Sequence, residues 1–238
     1  ARRDRPGPSA APGRRFPVGP RGRFGSGAGG PLRPGHVAGI VLAAGLSRRA
    51  GPADKLIARV DGDPMVWHPV RAALEAGLDP VVVVTAGPGT GSHEAVSELE
   101  QGAGLPIRDG ALRRVVNPHP ERGLASTLTI GVSALGPETA AALILLGDMP
   151  WVRPETIRSL VAAFRQHPAA PTVPIYRRSR GNPVLWPVGF FEALTRLTGD
   201  RGARGLLTAA GSLVQEVPVD DPGVLRDLDT AAELAELD

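Results

Sequence analysis

The sequence predicts an α/β protein with a doubly wound, mostly parallel sheet, and three features carry that expectation. Apolar runs at 81–84 and 141–146 are continuous rather than alternating, the mark of strands covered on both faces. Stretches with apolar residues at helical spacing lie between such runs. Small residues, an asparagine and a carboxylate follow the runs, at the carboxyl edge where these sheets bind ligands.

In chain order, the first strand spans about 37–43 and breaks into the loop Ala44-Gly45-Leu46-Ser47-Arg48-Arg49-Ala50-Gly51-Pro52-Ala53-Asp54-Lys55. Asp61-Gly62-Asp63-Pro64 reads as a turn before a helix. That helix covers 65–76, where Met65, Val66, Val70, Ala73 and Leu74 recur at roughly helical spacing, and Gly77 stops it. Strands at 81–84, 114–116 and 141–146 then alternate with helices at 93–99 and 124–135. A helix at 154–164 leads to a strand at 172–176 and the basic loop Arg177-Arg178-Ser179-Arg180, which suits either a phosphorylated ligand or water. A short helix opens after Gly199, the last strand covers 214–219, and Thr230 with Glu233 forms a capping box.

The 238 residues, 42% of them hydrophobic, suffice for one good core. There is no cysteine, which excludes disulfides, thiol nucleophiles and cysteine-held metals. No apolar run approaches the roughly eighteen residues of a membrane span, and none follows the early arginine pairs, so a cytoplasmic protein with neither anchor nor leader is expected. Residues 1–35 carry eight arginines against Asp4, a balance of +7; the rest carries 27 − 8 = 19 basic and 24 − 1 = 23 acidic residues, a balance of −4. The basic character therefore belongs to a Gly/Pro/Arg-rich tail, 1–35, expected to be disordered, and 36–238 is the folded domain. A tail of this kind attracts nucleic acid only non-specifically.

Lys55 is the only lysine, the other 26 of the 27 basic residues being arginine. An ammonium is a compact, flexible point charge suited to a phosphate. Ala44, Gly45, Ser47 and Gly51 carry little side chain, so backbone N–H groups can cradle an anion while Arg48, Arg49 and Lys55 supply charge. The loop is neither G-x-x-x-x-G-K-[ST], because Leu56 follows Lys55, nor G-x-G-x-x-G, and a charged surface turn fits the same residues. Asn117-Pro118 fits a turn as well as a ligand, and Gly123-Leu124-Ala125-Ser126 fits the anion-binding start of a helix. Asp148 puts a carboxylate where the central strand ends.

Ordered stretches from about 37 to 238 resemble the nucleotidyltransferases that attach a nucleotide to the molybdenum cofactor. Residues 42–55 are similar to that family's opening L-A-A-G-x-S-x-R-M-G and its following lysine, with Ala50 in place of the methionine. Asn117-Pro118 with Gly123 and Ser126, then Leu146-Gly147-Asp148-Met149-Pro150, resemble the second and third signatures, without the aromatic usual near Pro120. Gly181-Asn182-Pro183-Val184 follows a G-x-P-V pattern on the second-substrate side. Gly199-Asp200-Arg201-Gly202-Ala203-Arg204 closely resembles the G-D-x-G-A-R of the cytidylyl branch, and Asp227-Leu228-Asp229-Thr230 the D-I-D-T ending.

The resemblance implies a three-layer, Rossmann-like nucleotidyltransferase fold and a magnesium-dependent transfer of CMP from CTP to molybdopterin, a phosphorylated pterin, with release of pyrophosphate. Leu42, Ala43, Ala44, Gly45, Ser47, Arg49, Gly51, Lys55, Asn117, Gly123 and Ser126 would bind the nucleotide. Arg49, Lys55 and Asp148 would act in catalysis, and Asp148 with Asp229 and Asp227 would hold magnesium. Gly181, Asn182, Pro183, Asp200 and Arg204 would face the acceptor. The methyl of Ala44, where guanylyl relatives carry glycine, favours the smaller cytosine base. Other readings stay open: guanylyl transfer, another phosphorylated acceptor, a nicotinamide-dependent oxidoreductase on the same scaffold, or a carrier serving a molybdenum enzyme or its maturation factor.

Overall fold

The computed structural model of the chain describes residues 35–45, 54–103, 107–199 and 202–228. The tail up to Pro34, most of the loop after the first strand and the capping box at Thr230 lie outside these residues. Among the described residues the elements are β1 (His36–Ala43), β2 (Arg59–Val60), β3 (Asp63–Pro64), α1 (Trp67–Glu75), β4 (Val81–Thr85), α2 (Gly91–Glu100), β5 (Leu112–Val116) and α3 (Leu124–Ser133). They continue with β6 (Thr139–Leu146), α4 (Pro154–Gln166), β7 (Thr172–Tyr176), β8 (Ser179–Arg180), β9 (Val184–Pro187), α5 (Phe191–Thr195), α6 (Arg204–Ala210) and β10 (Gln215–Pro218). No helix among them is long and apolar enough to cross a membrane.

The main sheet has the order β10-β7-β9-β6-β1-β4-β5, with β8 paired to β7. β1 pairs in parallel with β4 and β6, β4 with β5, and β10 with β7; β9 runs against both β6 and β7. The chain leaves β1 for β4 on one side and later returns to β6 on the other. The strand order thus reverses beside β1, which is where a doubly wound sheet opens a crevice at its carboxyl edge.

Both faces of the sheet are covered, which is why its central strands are apolar throughout. Val41, Val81 and Val83 pack with Val70, Val96 and Leu160 of α1, α2 and α4. Ile40, Val82 and Val84 pack on the other side with Leu128 and Val132 of α3 and Leu194 of α5. Alternate side chains of one strand therefore enter two cores, and the three-layer architecture follows. On the second face α3 seats directly on β1, because a Cβ at Gly131 would lie 2.6 Å from Ile40 Cγ2.

Two local expectations need correction. Asp61-Gly62 is the turn of a small β2–β3 hairpin, with φ of 50° and 87°, rather than only a lead-in to α1. The stretch Val184–Pro187, read in the sequence only as part of a motif, is the antiparallel strand β9, buried along its whole length between β6 and β7.

Candidate active site

Two strand ends meet where the order reverses. Leu42 of β1 is in register with Leu146 of β6, and the Gly147 N–H donates to Leu42 O at 3.1 Å. A Cβ on Gly147 would lie 3.0 Å from that same oxygen, so the approach depends on glycine. Asp148 consequently leaves β6 beside the end of β1. There Ala44 is buried and Gly45 is exposed, with open space where a side chain would stand.

Lys55 reaches the same point from a turn that Asp54 fastens. Asp54 Oδ1 accepts from Leu56 N at 3.1 Å, and its Oδ2 accepts from Ser92 N at 2.7 Å, in the first turn of α2. The Ser92 hydroxyl in turn donates to Ala43 O at 3.2 Å. Turn, helix and strand end are thereby tied together, and the negative charge sits favourably at a helix N-terminus. From this anchored turn Lys55 Nζ donates to Asp148 Oδ2 at 2.8 Å and to Leu228 O at 3.1 Å. The pair is mostly sheltered, with 14% of the lysine and 21% of the aspartate side chain exposed.

The other oxygen of Asp148 is different. Oδ1 is buried and has no hydrogen-bond partner. A carboxylate oxygen left in this way loses its hydration without return, and it is the hard donor that magnesium selects. No group of three or more His, Asp or Glu able to hold a metal occurs among the described residues. A magnesium ion that relies on one or two carboxylates plus phosphates and water does not require such a group, so the donor present fits that ion.

The floor of the site comes from the segment 221–228, a contribution that sequence reasoning missed apart from Asp227. Asp221, only 2% exposed, accepts from Arg153 N at 2.9 Å, from the Thr156 hydroxyl at 2.7 Å and from Gly223 N at 2.9 Å. It supplies to α4 the cap that the helix lacks at Arg153, which makes no side-chain cap bond of its own. The Arg226 guanidinium lies 3.6 Å from the centroid of the Trp151 ring, and Leu228 N donates to Asp148 O at 3.0 Å. Leu228 thus binds both members of the Lys55–Asp148 pair through its backbone. Aspartate before Pro-Gly reads as a turn residue in the sequence, so nothing local signals a distant cap.

The remaining expected residues divide into three groups. Asn182 and Pro183 line a narrow apolar crevice with Leu146 and Met149, next to Asp148, because antiparallel β9 starts at the edge where β6 ends. Gly181 abuts the 221–228 segment, where a Cβ would fall 2.3 Å from Val224 O, and it serves packing there.

Asn117, expected at the nucleotide, is instead 1% exposed. Its amide nitrogen donates to Ser126 Oγ at 2.8 Å and Thr127 Oγ1 at 3.0 Å, and its oxygen accepts from His119 N at 2.9 Å. Its polar atoms are engaged in shaping the loop, and the half-buried Ser126 hydroxyl bonds His119 O and Gly123 O. Gly123, at φ 86°, permits the bend into α3. Leu42 and Ala43 offer core side chains, and their carbonyls bond Gly147 and Ser92.

Gly199 O accepts from Ala125 N at 3.1 Å, which ties Gly199 to the start of α3, and Arg204 is exposed at the head of α6. Asp227 is exposed. Ser47, Arg49, Gly51, Asp200 and Asp229 lie outside the described residues.

Comparison with known proteins agrees with this geometry. A family profile described as MobA-like NTP transferase domain matches residues 39–216. The chain belongs to that family. Its fold is shared with Rv0371c of Mycobacterium tuberculosis H37Rv, 26% identical over 85% of this chain and 97% of that one, at a TM-score of 0.67. Rv0371c has also been solved as a complex with manganese, at a TM-score of 0.65. The Methanothermobacter nucleotidyl transferase Mth528, 24% identical over 85% of this chain and 95% of its own at a TM-score of 0.64, shows the fold alone. Among curated relatives, the bifunctional protein GlmU of Anaeromyxobacter sp. strain Fw109-5 is 39% identical over 132 residues, which is 55% of this chain and 25% of GlmU. The chain thus spans about a quarter of the length of that relative. As a MobA-like NTP transferase domain, the protein is a member of a nucleotidyltransferase family that binds nucleoside triphosphates.

Proposed function

We propose that this MobA-like NTP transferase moves CMP from CTP to the phosphate of molybdopterin, with magnesium, and releases pyrophosphate. The observation that carries the transfer chemistry is the meeting of Lys55 and Asp148 at the reversal point of the sheet, with Asp148 Oδ1 left over. The choice of cytosine rests on the resemblance of residues 199–204 to the cytidylyl signature and on the methyl of Ala44.

In the reaction an acceptor phosphate oxygen attacks the α-phosphorus of CTP. A new P–O bond forms there, and the bond to the β-phosphate breaks, its electrons leaving with pyrophosphate. The nucleophile is already anionic, so the protein needs no general base and contributes position and charge. Lys55, held on its anchored turn, bears the positive charge that offsets the departing phosphates, and Arg49 is assigned the same task. Asp148 would hold the magnesium, with Asp229 and Asp227 as the further ligands that the resemblance implies, and the ion would neutralise phosphate charge as a Lewis acid. Asn182 and Pro183 border the acceptor side.

The test is pyrophosphate release from CTP, GTP, UTP and ATP with molybdopterin, with and without magnesium. Release from CTP that depends on both is expected. A second reading is transfer to another phosphorylated acceptor, the chain matching GlmU at 39% identity over 132 residues as well as the MobA-like profile. Turnover with a sugar phosphate and none with molybdopterin would establish it. A thermal midpoint raised by NADH and by no nucleoside triphosphate would sink the transferase assignment altogether.

A further inference from the structure

The chain contains two two-residue hairpin turns among its described residues, and they are built from opposite materials. Between β2 and β3 the turn is Asp61-Gly62, with φ of 50° and 87°, the residue pair that a left-handed turn favours. Between β7 and β8 the turn is Arg177-Arg178, with φ of 46° and 69°. Arginine carries a Cβ and lacks the short polar side chain that eases this conformation, so both residues are strained. Strain retained at a turn is a motive to look for a task that glycine would not perform.

The surroundings narrow that task. Arg180, at the end of β8, is paired with Glu216 by Nε and Nη2, each 2.7 Å from Oε1, so its charge is compensated. Arg177 and Arg178 are both exposed, and among the described residues neither forms an ion pair. Arg177 lies 5.2 Å from the centroid of the Tyr176 ring, which restrains its direction without cancelling its charge. The β7–β8 turn therefore presents two uncompensated guanidinium groups.

Its position completes the argument. β7 and β6 both run against β9, so the turn after β7 projects from the same edge of the sheet as Asp148, about 10 Å away across two strand spacings. The chain then passes within a few residues from Arg178 to Asn182 and Pro183, which border the crevice beside Asp148.

We infer that the Arg177-Arg178 turn is the anion-recognition element for the acceptor, gripping a phosphomonoester by paired guanidinium hydrogen bonds while Lys55 and Asp148 serve the nucleotide. This rests on the reading that the reaction has a phosphorylated acceptor. It names the residues that select such a class over neutral alcohols.

The test uses the full chain with magnesium and α,β-methylene-CTP, a non-transferring analogue that fills the nucleotide side. Inorganic phosphate is then titrated and followed by calorimetry and by phosphorus NMR line width. The variant Arg177→Asn/Arg178→Gly installs the turn chemistry of a relaxed hairpin, so its thermal midpoint should equal or exceed the parent's. It should bind inorganic phosphate at least tenfold more weakly with unchanged affinity for the analogue. Arg180→Ala, which removes only the compensated charge, should bind phosphate as the parent does. Equal phosphate affinity in parent and double variant, or no phosphate binding by an analogue-loaded parent, overturns the inference. Failure of the analogue to bind the parent would instead strike the proposed transferase reaction.

Discussion

Replacing Lys55 with methionine separates the two roles that the Lys55–Asp148 pair combines. In the structure the ammonium sits 2.8 Å from Asp148 Oδ2, beside the buried Oδ1 proposed to receive a divalent ion. Two unit charges about 4 Å apart interact by about 4 kcal/mol at an effective dielectric near 20, and a divalent ion doubles this. Both side chains retain some exposure, 14% and 21%, so water reduces the figure. If a third of it survives, roughly 2.7 kcal/mol, metal binding without nucleotide is suppressed about a hundredfold by the lysine.

Lys55→Met should therefore bind manganese at least tenfold more tightly than the parent when no nucleotide is present, measured from the free-ion signal in electron paramagnetic resonance. Nucleotide affinity should move the other way, because the charge that met the phosphates is gone. The thermal midpoint should drop, since Asp148 loses its counter-ion, and manganese should restore it. General damage would weaken both ligands together. An unchanged or weaker manganese affinity in a folded variant would refute the reasoning and detach Lys55 from control of the metal.

Two further outcomes follow from the same geometry. Asp148→Asn keeps the shape of the side chain and removes its charge, so the fold should persist while turnover falls by orders of magnitude in a pyrophosphate-release assay; near-normal turnover would remove Asp148 from the reaction. Asp221→Ala deprives Arg153 N, Gly223 N and the Thr156 hydroxyl of their acceptor. At about 1–3 kcal/mol for each buried group left unsatisfied, the urea midpoint should report a loss of roughly 3 kcal/mol or more, and a loss below about 1 would show that water replaces the carboxylate.

Much of the fold was legible because burial on two faces writes itself as composition. The valines of β4 and the run ending at Leu146 can be read without any partner in view, and the strand expected at 172–176 coincides with β7. β9 was not legible as antiparallel, since an apolar strand between two neighbours looks the same whichever way it runs. The site divided along the same line. Asp148 and Lys55 could be singled out because a strand end and a unique residue type mark them, and the structure joins them. Asn117 carried an equally good local signal and proved to face inward, since only the packed loop decides whether an amide turns to ligand or to serine and threonine.

The segment 221–228 shows why a site cannot be equated with the stretch that a family profile matches. The profile match spans 39–216 and includes Lys55 and Asp148, yet the described contacts that hold the pair from below come from residues beyond it. Asp221 fixes one end of the segment on α4, Arg226 stacks on Trp151, and Leu228 offers its N–H to Asp148 and its carbonyl to Lys55. None of these contacts needs a particular side chain at 228 beyond one that fills the core, where Leu228 is 2% exposed. Backbone bonds of this kind leave almost no trace in residue identity. The position of Lys55 is therefore set partly by the peptide group of Leu228, whose contacts depend on where the backbone runs and not on which side chain it carries.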